Sequence, residues 1–148
     1  MTHEAMVQAV LDAIDAGITE DIQTEAMARA VNYSTHHLRR VFHALTGTPV
    51  MHYVTLRKLE YALYDLSRGG RIVDVAMAYG FETHAGFTKA FKRHFGYPPS
   101  LYRLHMTAQP PGRATIHSVQ RKYGVRRRAI DAAPHLYAIA SLRGGDLL

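Results

Sequence analysis

Two stretches of this chain gather side chains that bind anions and hydrogen-bond to polar edges. The first carries Ser34, Thr35, His36, Arg39, Arg40 and His43; the second carries Thr83, His84, Thr88, Lys89, Lys92 and Arg93. Spacings of three and four residues put each set on the outer side of a helix. Leu38, Val41, Phe42 and Leu45 line the inner side of the first, and Phe87, Ala90, Phe91 and His94 the inner side or edge of the second. A guanidinium can donate to guanine O6 and N7 together. Lysines hold phosphate, and hydroxyls at a helix start (Ser34, Thr83) sit where the free N–H groups favour anions. These residue types suit recognition of a polyanion with patterned edges.

The residues needed for bond-making chemistry are missing or scattered. The chain has no cysteine, which excludes disulfides, thiolate metal sites and cysteine nucleophiles, and suits a reducing cytoplasm. Its ten histidines form no HEXXH pair, and carboxylates are scarce around them. There is no nucleophile elbow and no phosphate-cradling glycine loop; Gly69-Gly70 reads as a helix break. Tyr and Phe fall mostly at core spacing, unlike a stacking platform for single strands. No catalytic, metal or cofactor site is expected.

Charge is divided along the chain. Residues 1–33 carry a net −5, residues 34–128 a net +12 and residues 129–148 a net −1. A basic block of this size favours a polyanionic partner. The composition, 47% apolar and 20% charged, is that of a globular chain. No apolar run approaches the ~18 residues of a membrane span. Acids at Glu4, Asp12 and Asp15 occupy the place where a secretory signal needs basic and then apolar residues.

The elements that must hold the two sets are helices. Met6, Val7, Val10, Leu11 and Ile14 predict one over 4–16, and Met27, Ala28 and Val31 a short one from Thr24. Ser34 is an N-cap for a third, which Gly47 ends. Pro49 precedes a long helix from Val50 to Arg68, with Val50, Tyr53, Val54, Leu59, Ala62, Leu63 and Leu66 on one side. Gly69-Gly70 breaks it. Short and longer helices follow over 72–79 and 83–95, ended by Gly80 and Gly96.

The short helix, break and longer helix occur twice. Residues 27–33 align with 75–81 at an offset of 48; beyond one extra residue, Leu38, Phe42, Gly47, Pro49 and Tyr53 align with Phe87, Phe91, Gly96, Pro98 and Tyr102 at 49. The break residues, Asn32 and Gly80, are the two types that best tolerate positive φ. The shared plan is a helix-turn-helix, whose second helix fits a DNA major groove.

On Gly80-Phe81, Phe87, Phe91-Lys92, Phe95-Gly96, Pro98-Pro99 and Tyr102-Arg103, residues from about 7 to 103 resemble the DNA-binding domain of AraC/XylS-type transcription regulators. The resemblance implies an all-α fold: a helix-turn-helix subdomain over 1–48, a linker helix over 49–68 and a second subdomain over 69–104. It also implies recognition helices that enter successive major grooves of double-stranded DNA, with base and backbone contacts at the positions of His36, Arg39 and Arg40. The second helix departs from the family's pattern at Ala85 and Gly86, where polar residues are usual, so it is expected to read fewer bases and to lean on Lys89, Lys92 and Arg93.

Residues 105–148 are expected to be a mostly irregular basic tail: a linker with a basic, partly helical segment over 105–133, and one strand over 134–143 that resembles the opening strand of a GyrI-like effector domain. The chain then reads as a monomeric DNA-binding part, with residues 105–148 either a tail or the start of a truncated C-terminal effector domain. A second reading makes it a module that docks RNA polymerase through its acidic first helix with weak DNA selectivity. A third, an accessory domain of a DNA-repair methyltransferase, lacks the reactive cysteine.

Overall fold

The structure, a computed structural model, describes residues 1–101 and 108–124. Among these residues every regular element is helical: α1 (His3–Ala16), α2 (Thr24–Ala30), α3 (Thr35–Thr46), α4 (Val50–Ser67), α5 (Ile72–Ala78), α6 (His84–Phe95) and the short α7 (Ile116–Val119), which runs into a π-helical turn over Gln120–Gly124. The chain divides into two compact units. One comprises Met1–Arg57 with Arg113–Arg127, the other is built on Lys58–Gly112.

In the first unit, Met6, Val7, Val10, Leu11 and Ile14 of α1 are buried with Met27, Ala28, Leu38, Val41 and Phe42. These are the apolar positions predicted from spacing, with Val31 and Leu45 only half-buried. Thr2 caps α1, its Oγ1 accepting from Ala5 N at 3.0 Å. In the second unit, Leu59, Ala62, Leu63 and Leu66 of α4 are buried, as are Val75, Ala76, Phe87, Phe91 and Phe95. Tyr79 donates to Asp65 Oδ2 at 2.6 Å, which pins the end of α5 to α4. Burial first, and then the hydrogen bond to Asp65, push the Tyr79 phenol well above its ordinary range, so it remains a donor at any physiological pH.

The repeat seen in the sequence is a repeat of hydrogen bonds. Asn32 has φ 59° and Gly80 φ 80°. Tyr33 N donates to Ala28 O at 2.9 Å and Asn32 N to Arg29 O at 3.2 Å; Phe81 N donates to Ala76 O and Gly80 N to Met77 O, both at 3.0 Å. Each pair is the two-bond closure of a Schellman motif, which needs a left-handed residue at its centre. The helices that follow also match. Ser34 Oγ accepts from His37 N at 3.1 Å and Thr83 Oγ1 from Gly86 N at 2.9 Å. Both end on left-handed glycines, Gly47 (φ 81°) and Gly96 (φ 91°).

The expected tail needs correcting at one point. Residues 113–124 are partly helical, as expected, but they are no appendage; they pack into the first unit. Ala114, Val119 and Tyr123 are buried. Arg113 pairs with Asp12, Nη2 to Oδ2 at 3.0 Å, and Gln8 Nε2 donates to the Ala114 carbonyl at 2.9 Å. Thr115 and Ser118 cap α7 reciprocally, the two-donor arrangement of a capping box. The apolar pair Val119 and Tyr123, four residues apart, is the signal that marks this segment, and the surrounding Arg113, Arg121 and Lys122 obscure it. The predicted strand over 134–143 lies outside the described residues.

Candidate nucleic-acid interface

The outer face of α3 presents His36, Arg39, Arg40 and His43, all exposed. With Ala44 they line an open concavity. The inner face (Leu38, Val41, Phe42) is buried, so the helix cannot rotate to hide the basic side without losing its core. Arg39 Nη2 stands 3.8 Å from Glu25 Oε1, both side chains more than half exposed at 57% and 55%. Such a pair is weak and is readily exchanged for another anion. Arg40 has no carboxylate partner among the described residues. Ser34 is exposed, and because its oxygen accepts from His37 N, its O–H is still able to donate. Thr35 is half-buried, less open than its neighbours. His37 turns to the side, where its ring lies 4.8 Å from that of Tyr33 and 5.5 Å from that of His3.

On α6, His84, Lys89, Lys92 and Arg93 are exposed, as is the cap Thr83. Thr88 differs. It is half-buried, and its Oγ1 is shut off from solvent with no hydrogen-bond partner among the described residues. Beside Phe87 and Phe91, the position falls at the edge of the buried side, which a count of turns alone places with the outward set. Beyond His84, the first turn of α6 presents only Ala85 and Gly86 on its exposed side. A Cβ on Gly86 would come within 3.0 Å of Thr83 Oγ1, the atom that caps the Gly86 amide. His94 is buried against Phe95, ring centroids 4.5 Å apart, as its inward position predicts.

Comparison with known proteins agrees with this geometry. A family model described as a helix-turn-helix domain matches residues 27–105, which hold both turns and both basic helices. The chain belongs to the AraC/XylS family of DNA-binding transcription regulators. Within this family, it is 31% identical over 104 residues to the regulatory protein SoxS of Salmonella typhimurium, covering 70% of this chain and 97% of that protein. It is 31% identical over 106 residues to the transcriptional activator AarP of Providencia stuartii, covering 71% of this chain and 78% of that one. The match to the transcriptional regulator YbfP of Bacillus subtilis, 34% identical over 107 residues, spans only 36% of that longer protein.

Solved AraC-type structures show the same fold. An AraC-type regulator from Chromobacterium violaceum aligns with TM-score 0.65 at 26% identity, over 68% of this chain and 90% of that one. The C-terminal domain of the response regulator AraT from Geobacillus stearothermophilus aligns with TM-score 0.65 at 25% identity, over 79% and 99%. No helix among the described residues is long and apolar enough to cross a membrane, and no group of three or more metal-binding side chains occurs among them.

Proposed function

We propose that this AraC/XylS-type chain reads a bipartite double-stranded DNA site as a monomer, α3 entering one major groove and α6 the next. The observation that carries the reading is the doubled turn: two recognition helices with matching caps, each with exposed basic residues on its outer face. On α3, Arg40 reads a base edge, with Arg39, His36 and His43 beside it, and the Ser34 and Thr35 end meets phosphate. On α6, Thr83, His84, Lys89, Lys92 and Arg93 make mainly phosphate contacts, because Ala85 and Gly86 offer no side chain that can read an edge. The shielded Thr88 hydroxyl contributes packing. α4 has 18 residues and so rises ~27 Å at 1.5 Å per residue, of the order of one DNA turn, ~34 Å. The chain acts in the cytoplasm and has no enzymatic activity of its own.

RNA polymerase is a second proposed partner. Of the acids on α1, Asp12 and Asp15 are engaged by Arg113 and Arg57, which leaves Glu4 exposed and makes that helix a poorer acidic docking face than its sequence indicates.

Selection from random duplexes, followed by footprinting, tests the reading. Two half-sites about one turn apart are expected. Five base pairs inserted between them rotate one by about half a turn and add ~17 Å, so affinity should fall toward that of one subdomain. Selection without enrichment would leave polymerase docking as the better reading; undiminished binding to the spaced site would rule out the monomeric bipartite reading.

A further inference from the structure

The last turn of the first recognition helix is closed by a segment far away in sequence. A helix leaves four carbonyls without intrahelical donors at its C-terminal end. In α3, the His43 carbonyl accepts from Gly47 N at 2.9 Å. The Leu45 carbonyl accepts from Gln120 Nε2 at 2.5 Å, across 75 residues. Next to this bond two glycines meet. A Cβ on Gly47 would lie 2.5 Å from Gly124 Cα, and a Cβ on Gly124 would lie 2.8 Å from the Thr46 carbonyl oxygen. Tyr123 is buried with its ring edge-on to Tyr53, centroids 6.0 Å apart, and Tyr53 in turn lies 5.8 Å from Phe42 of α3. The far end of the segment is fixed to α1 through Arg113–Asp12 and Gln8–Ala114. Residues 113–124 therefore form a strap fixed at one end on α1 and at the other on the end of α3. The strap lies beyond the family match, which stops at residue 105.

We propose that this strap positions the first recognition helix, and that Gln120 and Gly124 set how α3 presents Arg39, Arg40 and His43 to DNA. The inference rests on the reading that α3 contacts one half-site. Gln120 holds the carbonyl one residue beyond Ala44 and two beyond His43, both on the reading face. Gly124 permits the close approach, since any Cβ there must push the Thr46 carbonyl and with it the end of α3. A shift of an ångström at this end moves the Arg40 guanidinium out of line with its base edge, which bidentate recognition does not tolerate. Gln120 and Gly124 touch no base; they act through α3.

The test uses the full chain, with the selected duplex and its single base-pair variants in each half-site. Arg40→Ala first identifies the half-site that α3 reads. Gly124→Ala is expected to lower affinity by about tenfold or more and to flatten discrimination in that half-site alone. Gln120→Ala removes one hydrogen bond without a clash; the loosened end of α3 must be ordered on binding, at a cost of at most about one such bond, so affinity is expected to fall about two- to tenfold, in the same half-site. Thermal melting followed alongside separates positioning from unfolding: Gln120→Ala should bind more weakly while staying folded at the assay temperature. Equal losses across both half-sites, or wild-type preference in Gln120→Ala and Gly124→Ala, would overturn the proposal. A wild-type chain that selects no sequence would instead overturn the DNA-reading function on which it rests.

Discussion

Arg57 and Asp15 meet in a two-pronged ion pair, Nε to Oδ1 at 2.7 Å and Nη2 to Oδ2 at 2.8 Å. Their side chains are only 8% and 18% exposed. The pair joins the last turn of α1 to the first half of α4. One turn earlier on α1, Asp12 holds Arg113 in the same two-pronged way, Oδ1 at 3.1 Å and Oδ2 at 3.0 Å, but in the open. The acidic start of the chain thus meets part of the basic block inside the first unit, while the cations on the outer faces of α3 and α6 stay exposed.

Asp15→Ala should be costly. A guanidinium held out of water would lose its carboxylate, and breaking a buried pair on one side typically costs a few kcal/mol. Because Asp15 retains some exposure, about 2–4 kcal/mol is expected, read from the denaturant midpoint. Arg57→Met with Asp15→Leu should recover part of the loss, since an apolar pair of similar volume avoids burying charge. A midpoint unmoved by Asp15→Ala would show that the pair contributes nothing.

The Asp12 pair has a pH signature. The hydrogen bond from Arg113 lowers the Asp12 carboxyl below its ordinary 3.8, with a smaller contribution from Gln8 and against the effect of partial burial. Near and below that value the unfolded chain binds the proton more readily than the folded one. The stabilisation is therefore full above the ordinary value and disappears as pH falls through the lowered one. Asp12→Asn should melt slightly below wild type at pH 7, and the gap should close as the solution is acidified through the carboxylate range. A gap that persists at low pH would point to packing and not charge.

Much of the fold was legible because its punctuation is local. Asn32, Gly80, Gly47 and Gly96 adopt the positive φ their types predict, and Ser34 and Thr83 cap the helices they precede. The exposed cations of α3 and α6 were legible too, since helical period fixes which side faces water once the apolar stripe is known. Two features depend on long-range contacts that spacing cannot reveal, and a third on packing at a helix boundary. Arg57, 6% exposed, reads as a surface cation until Asp15 comes to it from 42 residues away. The strap reads as a basic linker because its buried side is only Ala114, Val119 and Tyr123. Thr88 sits at a boundary position whose hydroxyl is turned inward by local packing.

The two arginines of α3 should behave differently. Arg40 has no carboxylate partner among the described residues, while Arg39 leans toward Glu25 of α2 at 3.8 Å. Arg40→Ala is expected to lose about 1–3 kcal/mol of discrimination at a single base pair. Arg39→Ala should weaken all sequences more evenly, the behaviour of a phosphate contact. Competition binding against single base-pair variants of the selected site checks both; if both alanine variants keep the wild-type preference, α3 is not the reader assigned here.

Salt should act mainly through phosphate contacts. If six or more phosphates are neutralised, log K should fall against log salt with a slope steeper than about −5. Lys92, exposed on α6, should contribute about one unit of that slope, so Lys92→Ala flattens it by about one and leaves sequence preference intact. A nearly flat salt response in wild type would mean that the basic block does not meet DNA.

The boundary of the folded unit can be tested by truncation. The resemblance to the family places the end of the helical core near Arg103, yet Ala114 (4% exposed), Val119 (3%) and Tyr123 (4%) belong to the first unit's core. Ending the chain at Gly112 would uncover Tyr53 and the apolar side of α1 and α3, and remove the Gln120 bond to α3. At ~1.5–3 kcal/mol for each large apolar side chain buried, a loss of about 3–6 kcal/mol is expected. Ending the chain at Gly124 keeps every one of these contacts, and its melting temperature should stay close to that of the full chain. Equal melting of the 1–112 and 1–124 chains would show that the strap adds nothing to the fold; a large loss already at 1–124 would move the boundary further toward the C-terminus.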